Sequence, residues 1–182
     1  MTNTTFGPSA LATPANLVTA IRVAFTPVIG LVFLEHGPSW LAAVVWILVS
    51  LTDGADGWLA RRQGATRSGA FLDPLADKIL VFGVFLAIVV RSATWWFPIS
   101  IMAVREIWMS YHRTILARRG ISVPARPMGK LKTVFQMAAI MVLLTPDIGM
   151  VRGVLSGSLI WIALVLSLIS GLLYIIDGRV TA

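Results

Sequence analysis

An all-α integral membrane protein is the fold this sequence predicts: a six-transmembrane-helix bundle with a short N-terminal interfacial helix. Three observations predict it. The residues are 57% hydrophobic, with a mean hydropathy of +0.85, and only 13% are charged, where a soluble domain carries about 25%. The apolar residues gather into six segments, 17–34, 39–60, 70–90, 95–117, 131–146 and 154–176. Each approaches the ~20 residues that cross a bilayer, the fifth being short. Turn-forming residues punctuate them at Gly37-Pro38, Ser92-Ala93-Thr94 and Thr145-Pro146-Asp147.

The elements follow in order. "MTNTTFGPSALATPANL" has no basic n-region and no continuous apolar core, so no secretory signal is expected. Pro14 suits the first turn of a helix with Thr13 as its cap. Residues 1–16 therefore read as an interfacial segment and 17–178 as one six-helix transmembrane domain. With both termini inside, the cytoplasmic loops receive Arg61, Arg62, Arg67, Arg113, Arg118, Arg119, Arg126, Lys130, Lys132 and Arg179, and the other side only Arg91 and Arg152. That asymmetry predicts an inner-membrane protein with cytoplasmic termini. Trp40, Trp95, Trp96 and Phe97 fall near the opposite ends, as interfacial aromatics should. The net charge of +7 fits this topology and anionic phosphate groups better than nucleic acid. The absence of cysteine excludes disulfides, thiolate metal sites and a cysteine nucleophile.

Half of the eight acidic residues lie in "LTDGADGWLARRQGATRSGAFLDPLADKIL", residues 51–80. Asp53 and Asp56 are three apart and share a helical face, and Gly69, Asp73 and Asp77, four apart, share another. Gly57 and Ala60 leave room beside the first pair, and Arg61 offers a fork suited to phosphate. Gly64 lies in the turn that would bring the two faces together. Four carboxylates would repel one another unless a hard cation joined them. Oxygen ligands without His or Cys favour Mg²⁺, Mn²⁺ or Ca²⁺, and four carboxylates suggest two ions. A solvated loop in which the acids pair with Arg61, Arg62, Arg67 and Lys78 is the plainer alternative. A cation- or proton-coupled transporter is another, since intramembrane acids also mark ion pathways.

The pattern D-x2-D-G-x2-A-R…G-x3-D-x3-D, here Asp53, Asp56-Gly57, Ala60-Arg61, Gly69, Asp73 and Asp77, resembles the signature of the CDP-alcohol phosphotransferases. The resemblance implies six transmembrane helices, a homodimer, and displacement of CMP from a CDP-linked lipid by a hydroxyl group. It implies two Mg²⁺ or Mn²⁺ ions held by Asp53, Asp56, Asp73 and Asp77, with Asp77 also the general base. CDP would lie against Asp56, Gly57, Ala60 and Gly69, with Arg61 or Arg67 on phosphate and Asn16 reaching the nucleotide or capping the interfacial helix. Seven residues separate Arg61 from Gly69, one fewer than in the family pattern.

"NLVTAIRVAFTP" at 16–27, "REIWMSYHR" at 105–113 and "GKLKTVFQMAAI" at 129–140 resemble the branch that makes phosphatidylglycerol phosphate in bacteria. With the acidic pattern, the likeness spans residues 14 to 144. The expected substrates are CDP-diacylglycerol and glycerol 3-phosphate, met at a membrane lipid surface. Other acceptors, as in cardiolipin or phosphatidylinositol phosphate synthesis, stay open. Arg105 and Glu106 either neutralise each other or leave Arg105 to the acceptor phosphate. Lys130 and Lys132 are either positive-inside anchors or part of the same anion pocket, with Thr133 and Gln136 continuing a polar stripe. Arg113 and Arg118 share that task or touch headgroups. Asn16, Thr19 and Arg22 recur on one face, and His36 and His112 receive no role.

Overall fold

The computed structural model describes residues 14–63, 69–118, 127–146 and 149–180, with side chains for 19–52, 75–116, 128–146 and 149–176. The described residues form six α-helices: α1 (Pro14–His36), α2 (Trp40–Gln63), α3 (Gly69–Arg91), α4 (Trp96–Arg118), α5 (Pro127–Leu144) and α6 (Met150–Val180). A 3-10 turn at Ala93–Trp95 precedes α4. The breaks fall where the turn residues predicted them. α1 begins at Pro14 and runs unbroken to His36; the expected interfacial segment 1–16 lies almost wholly outside the described residues.

The chain divides into two compact units, 1–91 with 144–146, and 92–143 with 147–182. In the first unit, α1 ends at Gly37, whose φ of 73° is left-handed and whose N–H returns to the Phe33 carbonyl at 2.8 Å. A Cβ here would also stand 2.7 Å from Nη2 of Arg91. Arg91 Nη1 donates to the carbonyls of Leu34 at 2.5 Å and Phe33 at 3.3 Å. The Leu34 carbonyl is one that a helix C-terminus leaves without an intrahelical partner, and that of Phe33 is shared with the Gly37 N–H. Ser39 then caps α2, its Oγ accepting the Ala42 N–H at 3.2 Å.

α1 and α3 run parallel, and the pairings show it. Arg22 meets Asp77, Thr26 meets Gly83, Gly30 meets Ala87, and Phe33 and Leu34 meet Arg91. Both numbers rise together along the two helices. Small residues allow this approach: a Cβ on Gly83 would lie 2.5 Å from the Thr26 methyl, and one on Gly30 would lie 3.5 Å from Ala87 Cβ. Ile29, Phe33, Trp46, Leu80, Val84 and Phe85 fill the core of this unit.

In the second unit, α4 and α6 are also parallel: Trp95 meets Gly157, Arg105 meets Ser170 and Gly171, and His112 meets Tyr174. α5 runs antiparallel to α4, with Gln136 against Met102 and Lys132 against Glu106. The C-terminus of α5 is capped as α1 is. Arg152 donates from Nη2 to the Leu143 carbonyl at 2.5 Å and from Nε to the Val142 carbonyl at 3.2 Å.

Leu31, Leu48, Leu86, Ile107, Trp108 and Leu172 point outward. Large apolar side chains exposed on the helices of both units suit lipid rather than water. The expectation of six spans is not matched in full. Among the described residues, α1 and α6 alone are long and apolar enough to cross a membrane, or three spans if α3 and α4 count as one broken span. The described side chains of α2 end at Thr52, and α4 carries Arg105 and Glu106 within its length.

Candidate active site

The acidic pattern falls on two uninterrupted helices. Asp53, Asp56, Gly57, Ala60 and Arg61 lie in α2, and Gly69, Asp73 and Asp77 lie in α3, which is the backbone their spacing requires. The side chains of Asn16, Asp53, Asp56, Asp73, Arg61 and Arg118 lie outside the described residues, as does all of Arg67. The short spacer after Arg61 lies largely outside them too.

Asp77 is the member whose surroundings are visible. Its Oδ1 accepts a 2.6 Å hydrogen bond from Nη1 of Arg22 on α1, and the pair is unequal: the Arg22 side chain is 0% exposed and that of Asp77 is 42% exposed. Arg22 is therefore a buried cation whose charge meets a carboxylate on the next helix but one. Thr26 Oγ1 donates back to the Arg22 carbonyl at 3.0 Å, and its methyl packs at Gly83. The small residues of the α1–α3 contact thus bring Arg22 to Asp77.

The donor chemistry fits a hard divalent cation. The motif supplies carboxylate oxygens only, and a part-exposed Asp77 can meet solvent or ligand. Among the described side chains no group of three or more potential metal ligands occurs, since the other three aspartates are not among them.

The second unit holds a cluster of opposite character. Glu106 Oε2 accepts from Arg105 Nη1 at 2.9 Å and from Lys132 Nζ. Arg105 Nη2 donates to Ser170 Oγ at 2.9 Å. Lys132 is 8% exposed. Two cations share one carboxylate, and guanidinium and ammonium side by side are groups that suit a phosphate. Gln136, one turn beyond Lys132, donates from Nε2 to Met102 Sδ at 3.5 Å. The predicted polar stripe thus exists, and its inward members are Lys132 and Gln136.

Lys130 is exposed. Arg113 lies over the Tyr174 ring with Cζ 5.5 Å from its centroid. His112 meets the same ring edge-on at 6.1 Å, and its buried Nδ1 has no hydrogen-bond partner among the described residues. Four participants gave little sign in the sequence. Arg22 shared a face with Asn16 and Thr19, but its partner lies 55 residues away. Glu106 serves two cations on different helices. Ser170 and Gly171 sit in a strongly apolar helix, and the only signal there was the small-residue spacing Ser167, Ser170, Gly171.

A family model described as CDP-alcohol phosphatidyltransferase matches residues 12–180. The chain is 38% identical over 172 residues to a CDP-diacylglycerol–glycerol-3-phosphate 3-phosphatidyltransferase of Escherichia coli, covering 90% of this chain and 93% of that one. It is 34% identical over 165 residues to the protein so named in Rickettsia bellii, covering 87% and 91%. A probable phosphatidylglycerophosphate synthase of Mycobacterium tuberculosis is 35% identical over 179 residues, covering 94% and 81%.

Proposed function

The chain belongs to the CDP-alcohol phosphatidyltransferase family, and from that premise we propose that it transfers the phosphatidyl group of CDP-diacylglycerol to sn-glycerol 3-phosphate. The products are phosphatidylglycerol phosphate and CMP. The acceptor hydroxyl oxygen forms the new bond to the phosphorus that carries diacylglycerol, and the bond to CMP breaks. What carries the choice of acceptor is the match, over about nine-tenths of the chain, to relatives named for it. The Arg105–Glu106–Lys132 cluster supports it, because a phosphomonoester acceptor needs fixed cations.

Asp53, Asp56, Asp73 and Asp77 would hold two Mg²⁺ or Mn²⁺ ions. Bound there, the ions supply neutralisation of the pyrophosphate and of the departing phosphate. Gly57 and Ala60 give the nucleotide close approach, and Arg61 or Arg67 binds phosphate. Arg22 holds the Asp77 carboxylate in place through Nη1. Asp77 accepts the proton of the acceptor hydroxyl. Arg105 and Lys132 would bind the acceptor through its phosphate.

We place the enzyme in the inner membrane with both termini cytoplasmic, six spans, and two copies in a dimer. The excess of Lys and Arg in the loops assigned to the cytoplasm, against Arg91 and Arg152 on the other side, supports this orientation. The purified protein, offered radiolabelled CDP-diacylglycerol with glycerol 3-phosphate, phosphatidylglycerol or inositol phosphate, should release CMP with the first alone. CMP release that prefers either other acceptor overturns the assignment.

A further inference from the structure

We propose that Ser170 and Gly171 of α6 are positioning residues for the acceptor phosphate: they fix the Arg105 guanidinium from the side opposite Glu106. The proposal rests on the reading of Arg105 as an acceptor-phosphate ligand.

Three contacts define the hold. Glu106 takes Nη1 at 2.9 Å and Ser170 takes Nη2 at 2.9 Å. Ser170 Oγ also donates to the Ser167 carbonyl at 3.0 Å. The serine hydrogen is thus committed along α6, and towards Arg105 the oxygen can only accept. That polarity suits a guanidinium. The third contact is steric. A Cβ on Gly171 would stand 2.9 Å from Arg105 Nε, 3.1 Å from Nη2 and 3.4 Å from Cζ. The Nε edge therefore lies against bare α6 backbone, and Nε is buried without a hydrogen-bond partner among the described residues.

The consequence concerns which N–H groups remain. A guanidinium has five. One on Nη1 goes to Glu106, one on Nη2 goes to Ser170, and the one on Nε is walled off. One hydrogen on each terminal nitrogen is left, enough for a single two-point contact with a phosphate. A long side chain held in this way has little freedom to lose when the acceptor binds. Gly171→Ala would push the guanidinium off the helix without removing any of its charge.

The test is a double-mutant cycle on the full-length enzyme in lipid-detergent micelles. Gly171→Ala should raise the KM for glycerol 3-phosphate at least about threefold while leaving the KM for CDP-diacylglycerol unchanged. In an Arg105→Lys background, which has no guanidinium edge at α6, Gly171→Ala should add nothing. Gly153→Ala adds the same methyl to the same helix where nothing lies within 4 Å, and should leave both KM values unchanged. Should Gly171→Ala not fold, Ser170→Ala run through the same cycle gives the same readout. Independent effects of Arg105→Lys and the α6 substitution overturn the positioning role, as does an unchanged acceptor KM in the α6 variant. If Arg105→Ala itself leaves the acceptor KM unchanged, the acceptor-site reading fails first, and that result is distinct from both.

Discussion

Arg22 on α1 and Asp77 on α3 form a 2.6 Å ion pair in which the cation is fully buried and the anion is partly exposed. The inequality gives the pair a direction. Removing the carboxylate takes a charged partner from a buried guanidinium, whereas removing the guanidinium leaves a carboxylate that can reach water. Breaking a buried pair costs roughly 3–5 kcal/mol. Asp77→Ala should therefore lower the melting temperature of the purified protein more than Arg22→Met does. Equal losses, or the reverse order, would mean that the pair does not carry the α1–α3 contact.

The tightness of the same contact can be tested by size. Gly83→Ala drives a methyl to 2.5 Å from Thr26 Cγ2, and overpacking of this kind costs roughly 1–3 kcal/mol. Thr26→Ser removes that methyl yet keeps the hydroxyl that bonds the Arg22 carbonyl. The double variant should recover most of the stability lost in Gly83→Ala. Thermal unfolding of the four proteins checks it, and a double variant no better than Gly83→Ala alone would place the strain elsewhere.

Burial separates two lysines that the sequence presents as equals. Lys132 bonds Glu106 and is buried, while Lys130 is exposed. Loss of a charge-assisted contact costs roughly 1.5–3 kcal/mol, tenfold or more in specificity. Lys132→Ala should raise the KM for glycerol 3-phosphate by that order, and Lys130→Ala should change it far less. Steady-state kinetics on both proteins decides, and a larger effect at Lys130 would move the acceptor phosphate outward from Glu106.

The all-oxygen donor set of the acidic pattern predicts metal dependence. EDTA should abolish CMP release, and Mg²⁺ or Mn²⁺ should restore it. Full turnover in EDTA would sink the two-ion scheme.

The roles within the acidic pattern can be separated by isosteric change. Asp77→Asn retains an oxygen for Arg22 but no longer takes a proton at neutral pH. It should still bind Mn²⁺ and CDP-diacylglycerol, yet turn over at least ~10²-fold more slowly. Asp56→Asn should weaken metal and nucleotide binding together. Calorimetry with Mn²⁺ and a nucleotide titration distinguish them; comparable losses of metal affinity would make Asp77 chiefly a ligand.

The sequence by itself determined the class and the chemistry. Six apolar segments with turn residues between them became six helices, because local hydropathy and Gly or Pro punctuation act within a few residues of where they stand. The carboxylate pattern was legible for the same reason, since i,i+3 and i,i+4 spacing is a property of one helix. Tertiary structure alone decided the partners. Arg22 finds Asp77 across 55 residues, Lys132 finds Glu106 across 26, and Arg105 finds Ser170 across 65. Such pairings depend on which helices run parallel and how closely they pack. The close approach of α1 to α3 and of Arg105 to α6 uses the missing side chains of Gly83 and Gly171. A glycine inside an apolar run marks room for a close approach, but only the packed helices reveal that at Gly171 it is the guanidinium of Arg105 that fills it.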